Sequence, residues 1–192
     1  MIKIFLYKLQ PKELEKSFLK HNLSAVKFQV RVLSVIVIVS LSVFIAIDYS
    51  LIKESLHLII TVTCRFVAIM ATLATIIFSH RINEPKQLQI LTFINVLVVL
   101  IHLLITEPIR PSDQITIVAW SLLIIFTIYT AVPASLELLT TATLLYTVGT
   151  CAVWFLIKNP EWSTTEIATI IAAYVYANIC GFFISNRMAI SR

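Results

Sequence analysis

The sequence predicts an all-α polytopic membrane protein with six transmembrane helices and both termini in the cytoplasm. Three observations carry that prediction. Of the 192 residues, 59% are apolar and only 13% are charged, where a soluble domain carries about 25% charged residues. A soluble fold of this length has no interior large enough to hide so much apolar surface. Two glycines in the whole chain leave little of the turn chemistry that a loop-rich or barrel architecture uses. Finally, six apolar runs approach the roughly 20 residues that a helix needs to cross a hydrocarbon core about 30 Å thick.

Taken in order, residues 1–25 read as a basic, amphipathic cytoplasmic segment. Pro11 suits a first-turn position, and Leu14, Phe18 and Ala25 then form an apolar stripe flanked by lysines. That face lies either on anionic lipid headgroups or against a cytoplasmic partner domain. The first long apolar run follows without a small-residue cleavage pattern, so no cleavable signal peptide is expected. Residues 26–186 form the six-helix domain, with spans at about 28–52, 56–79, 88–106, 115–132, 136–157 and 167–185. Polar, proline-broken separators divide most of them: Asn83-Glu84-Pro85-Lys86, Glu107-Pro108-Ile109-Arg110-Pro111 and Asn159-Pro160-Glu161. Proline lacks the amide donor and disfavours helix in the residue before it. Between the fourth and fifth runs the only break is Val132-Pro133-Ala134-Ser135, which implies a tight helical hairpin or one kinked element. Neither glycine nor proline follows Gly181, so residues 187–192 either begin a cytoplasmic signalling stalk or form a short frayed tail.

Basic loops stay in the cytoplasm, and the lysines and arginines are unevenly shared. Eleven lie on the side of the two termini, including seven up to Arg31, then Arg81, Lys86, Arg187 and Arg192. Three, Lys53, Arg110 and Lys158, lie on the other side, and Arg65 falls within the membrane. Trp120, Trp154 and Trp162 fall towards the outer interface that amphipathic rings prefer. The net charge of +5 therefore reads as topology and lipid contact rather than nucleic-acid binding, for which no basic, aromatic-rich soluble module is present. A multi-pass location in the cell membrane follows as the expectation.

Ionisable side chains inside lipid are costly and raise a functional question. Arg65 is the clearest case: a charge near the bilayer centre costs on the order of 3 kcal/mol by insertion scales. Asp48 at the outer end of the first helix is its expected partner, and His102 of the third helix lies at similar depth. These three form a candidate outer-half polar cluster, either a structural ion pair with a nearby histidine or a site for a small or lipophilic ligand. Asn95 and Asn178 lie at similar depth on the cytoplasmic side and read as a second group making interhelical hydrogen bonds.

No catalytic residue is expected. The chain has no GxSxG, HExxH or phosphate-binding loop and no acidic pair on one helix face. Cys64, Cys151 and Cys180 lack CxxC spacing and read as packing residues. Of His21, His57, His80 and His102 only the last lies well inside the membrane, so no haem, metal or other cofactor is expected.

Three stretches carry a family resemblance. They are the entrance, Leu14-Glu15-Lys16-Ser17-Phe18 through Gln29-Val30-Arg31-Val32; Phe44 and Asp48 of the first helix with Arg65-Phe66 of the second; and the ending Ala177-Asn178-Ile179-Cys180-Gly181 followed by Arg187. Together they resemble the six-helix membrane-associated sensor regions found N-terminal to bacterial nucleotide cyclases, both GGDEF diguanylate cyclases and class III adenylate/guanylate cyclases. The resemblance implies a signal-input and dimerising anchor domain acting as a homodimer on a cytoplasmic cyclase, with Gly181 and Arg187 on the signal-output helix. Family members continue into a basic and acidic coiled helix and then a catalytic domain, whereas this sequence stops at Arg192. A small multi-pass transporter is the alternative, although paired glycine or proline interruptions are missing. An intramembrane enzyme ranks last.

Overall fold

The computed structural model describes residues 22–109, 114–158 and 163–191. Among them all regular structure is helical and no strand occurs. The elements are α1 (Leu23–Leu51), α2 (Ser55–Arg81), α3 (Pro85–Thr106), α4 (Gln114–Ala131), α5 (Leu136–Ala152) and α6 (Thr164–Ser191). A π-helical stretch, Val153–Lys158, continues α5. Five helices are long and apolar enough to cross a membrane: α1, α2, α3, α5 with its continuation to Ile157, and α6. The remaining apolar run is also a helix, α4, but a shorter one of 18 residues. The N-terminal segment up to residue 21, Trp162 and the side chain of Arg187 lie outside the described residues.

Local chemistry explains the helix ends. Pro85 opens α3 at a first-turn position, where its missing amide proton costs nothing. Ser163 and Glu166 form a reciprocal cap at the start of α6: the Ser163 amide donates to Glu166 Oε2 at 2.8 Å, and the Glu166 amide donates to Ser163 Oγ at 3.3 Å. This is the S-x-x-E capping box, two orphan donors satisfied at once. Between α4 and α5 the chain breaks fully at 132–135. The two helices are therefore a hairpin, not one kinked element.

The distribution of side chains is inverted relative to a soluble bundle. On α2 the buried residues are Thr61, Arg65, Ala68, Thr72, Thr75 and Ser79, spaced alternately four and three apart. Such 3.5-residue spacing keeps one seam facing its neighbours as helices wind left-handedly about each other. Here the seam is small and polar, while Ile59, Phe66, Met70, Ile77 and Phe78 stand exposed on other faces. Water would penalise that arrangement. In lipid, which is as apolar as leucine, helices gain little from burying large aliphatic groups and instead associate through small residues and interhelical hydrogen bonds. Exposed hydroxyls are compatible with the same solvent. Ser42, Thr127, Thr130, Thr141 and Thr169 each donate to the carbonyl four residues back, at 2.7–2.8 Å, so none faces the surroundings unbonded.

Two groups of helices result. α2 packs between α1 and α3, while α4, α5 and α6 pack on one another, and α3 joins the groups through α5. The apolar core lies on the second side, centred on Leu100, Ile125, Tyr129, Leu139, Tyr146 and Tyr174. α1 also meets α4 directly: Gln29 Nε2 donates to the Ala131 carbonyl at 3.0 Å, and Phe44 meets Trp120 edge to face at 5.9 Å. Below, the proximal end of the bundle is the one where α1 begins, and the distal end is the one where α1 turns into α2.

Candidate functional site

The distal half holds the charged centre. Asp48 lies one helical turn before the end of α1, and Arg65 lies in the middle of the polar seam of α2. The short connection 52–54 folds the two helices antiparallel and brings these side chains together. Arg65 Nε donates to Asp48 Oδ2, with the two side chains only 1% and 0% exposed. The Arg65 guanidinium carbon sits 5.1 Å from the centre of the Phe44 ring, on the α1 face one turn before Asp48. Phe44 in turn meets Trp120 of α4. A salt bridge, a cation–π contact and an aromatic edge thus run in sequence from α2 through α1 to α4. Desolvating two charges costs several kcal/mol each, and the cost is recovered only where both are paired and enclosed.

His102 is buried on α3 at 3% exposure, one turn before Thr106 on the same face. Thr61, one turn before Arg65, is completely buried. A further polar layer lies among α3 to α6. Ser121 of α4 shares a 3.2 Å hydrogen bond with the Tyr146 hydroxyl of α5. Tyr146, Thr150 and Trp154 form a buried stripe along α5, the last of them in the π-helical stretch. Glu107, which the sequence places in a loop separator, is 93% buried by the same measure, at 7% exposure. Trp154, expected at the interface, is instead enclosed by protein at 2% exposure. Trp120 remains half exposed.

In the proximal half, charged donors of α1 reach α2, Lys27 to the His80 carbonyl at 3.4 Å and Arg31 to Ser79 Oγ at 3.3 Å, and neutral hydrogen bonds link the other helices. Thr72 of α2 donates to Asn95 Oδ1 of α3 at 3.1 Å. Asn178 of α6 donates through Nδ2 to Thr147 Oγ1 of α5 at 2.9 Å and to its own Tyr174 carbonyl at 3.0 Å. Thr143 Oγ1 donates to the Tyr129 hydroxyl at 2.8 Å, and that hydroxyl donates weakly to Asn178 Oδ1 at 3.5 Å. Asn95 and Asn178 therefore serve different seams, α2–α3 and α4–α5–α6, rather than one shared group. Equal depth along two helices does not specify which neighbours they face. Gly181 lies on the same face of α6 as Asn178. A Cβ there would meet Tyr129 Cδ2 at 2.2 Å, so this glycine sets the approach of α6 to α4.

Tyr129, Tyr146 and Tyr174 escaped the sequence reading. The signal was available: tyrosine prefers the membrane interface, so one deep within an apolar run implies a partner for its hydroxyl. Among the described residues no group of three or more histidine, cysteine, aspartate or glutamate side chains is placed to hold a metal ion. Comparison of the chain with protein-family models, with curated proteins and with solved structures finds no significant match. Fold and site thus define a class, a helical protein with several helices suited to crossing a membrane and a charged pair enclosed among them.

Proposed function

We propose that the chain is a six-span membrane domain with both termini cytoplasmic, and that it receives a signal in the membrane and passes it through α6 to a cytoplasmic output. A nucleotide cyclase is the output class that the sequence resemblance implies, with the domain working as a homodimer in the inner membrane. In this reading α4 supplies the remaining span. Its 18 residues reach about 27 Å, so it stands upright. Six antiparallel spans return the chain to the side on which it began, and the basic bias assigns that side to the cytoplasm.

The observation that carries the proposal is the length and continuity of α6. Its 28 residues extend about 42 Å at 1.5 Å per residue, against a hydrocarbon core of about 30 Å. A helix that leaves the bilayer without a break transmits rotation or translation to whatever follows it. The Asp48–Arg65 centre supplies a discrete arrangement that a stimulus can favour or disfavour, and it acts only through differential affinity for two packings.

The test is a fusion of the whole chain to a reporter cyclase, with one to four alanines inserted after Asn186. Each insertion turns the output by about 100°. Cyclase activity is expected to vary with the helical period at constant membrane abundance. Activity that is indifferent to phase, or a C-terminal tag that reacts from outside intact cells, overturns the proposal.

A further inference from the structure

α6 packs on α4 and α5 through the face that carries Tyr174, Ala177, Asn178 and Gly181. At about 100° per residue, the opposite face presents Ala172, Tyr176, Ile179, Phe183 and Asn186. The first four are exposed and Asn186 is half-buried. They stand alternately four and three residues apart, and the sequence continues the spacing with Ile190. The buried seam of α2 has the same spacing. It is the period at which one stripe of a helix stays against a neighbour over several turns. No charged residue falls on the stripe.

Two observations say what covers it. Crossing a hydrocarbon core of about 30 Å uses about 20 residues of α6, which from Thr164 ends near Ile184. The stripe runs on past that point, in phase, through Asn186 to Ile190, where acyl chains no longer reach. Tyr176, in turn, lies about 18 Å from the start of α6, close to the middle of the bilayer, with its ring exposed. Within the chain its hydroxyl meets the Cys180 thiol one turn further on, a weak hydrogen-bonding group. Tyrosine prefers the membrane interface to its centre because its hydroxyl seeks a better partner than lipid offers. A helix laid along the stripe serves both positions, and lipid serves neither.

We propose that this face of α6 is the interface between two copies of the chain, with the two α6 helices wound about each other in parallel from Ala172 to Ile190. Copies inserted the same way round run α6 in the same direction, and a two-fold axis then sets each seam residue against its own counterpart. Left-handed helix pairs of this kind form in lipid as they do in water. Asn186 meets Asn186 of the second copy, a single seam asparagine being a device that fixes register and strand number in two-stranded coils. The inference rests on the six-span signalling reading and names where the homodimer of that reading forms.

The experiment uses the full chain in lipid vesicles, with Cys64, Cys151 and Cys180 replaced by serine. Single cysteines are introduced as Ile179→Cys, Phe183→Cys and Asn186→Cys on the stripe, and as Phe182→Cys and Ile184→Cys beside it. After mild oxidation, covalent dimers are counted on non-reducing gels. Disulfides demand close, well-aimed Cβ atoms, so the stripe positions are expected to cross-link at least about fivefold faster than the flanking ones. Asn186→Lys sets like charges against each other outside the hydrocarbon and is expected to lower cross-linking at Phe183→Cys at least about tenfold. The unaltered chain with a fluorophore on its C-terminus is expected to bleach in two steps at high lipid dilution, so the proposal stands or falls even if a variant does not fold. Single-step bleaching, or cross-linking fastest at Phe182→Cys or Ile184→Cys, overturns it. No cyclase is attached in these measurements. Cross-links on the stripe therefore stand even if a reporter's output is indifferent to helix phase, and a phase-dependent output stands even if the copies meet elsewhere.

Discussion

The α1–α2 seam and the α4–α5–α6 cluster solve the same problem differently. Both must hold helices together in a solvent that does not drive apolar groups inward. The α1–α2 seam uses small residues, Ser34 and Ser79 among them, and concentrates its specificity in one buried ion pair. The α4–α6 cluster has an apolar core crossed by three tyrosines, two of whose hydroxyls bond short side chains, Tyr146 with Ser121 and Tyr129 with Thr143. An ion pair has no tolerable intermediate, because losing either partner strands a charge. A network of neutral groups loses one bond at a time. The first seam is therefore built to hold or to break, and the second to yield in increments.

The contrast is broken most sharply at Asp48. Asp48→Leu leaves Arg65 buried without its partner and is expected to cost about 3–5 kcal/mol, read by reversible unfolding in mixed micelles. Asp48→Leu combined with Arg65→Met is expected to recover most of that loss. If both variants lose equally, packing rather than charge holds the seam. Next comes Gly181→Ala, whose new methyl is driven against the Tyr129 ring; a loss of about 1–3 kcal/mol is expected in the same assay. Gly149→Ala sharpens the comparison. The three atoms nearest its Cβ all belong to Leu104, Cδ1 at 2.6 Å, Cδ2 at 3.2 Å and Cγ at 3.5 Å, the end of a side chain that can rotate, so it should cost less than about 1 kcal/mol.

Phe44→Leu removes both the cation–π contact and the aromatic edge and is expected to cost about 1 kcal/mol. The loss should shrink in a background that already lacks Arg65, which a double-mutant cycle measures. Smallest is Asn178→Leu, at about 0.6 kcal/mol. A value near that of Asp48→Leu would erase the distinction between the two regions.

The helices were legible in sequence because length and apolarity are local properties. The partnership of Asp48 and Arg65 was legible for a related reason: a three-residue connection leaves two consecutive helices antiparallel, and depth then pairs their charges. What required the fold was azimuth. Asn95 and Asn178 share a depth but face different neighbours, and nothing within either helix states which. The burial of Glu107 and Trp154 was hidden for the same cause, since a residue near a helix end is read as interfacial until a neighbouring helix is known to cover it. One signal was present and unread, the alternating spacing of Thr61, Arg65, Ala68, Thr72, Thr75 and Ser79, a stripe of small and polar groups in an otherwise aliphatic helix.

α6 differs from α2 in how it is moored. The buried stripe of α2 runs nearly its full length, whereas the buried positions among the described side chains of α6 are confined to Tyr174, Ala177, Asn178 and Gly181. That stretch covers about 10 Å of the helix and lies near its middle. A rod gripped at its centre behaves as a lever on a fulcrum: a sideways push on the end near Thr164 swings the end near Ser191 the opposite way, with little loss of amplitude. The grip is the contact of Gly181 and Asn178 with Tyr129, where a single added carbon would push the rod off its seat.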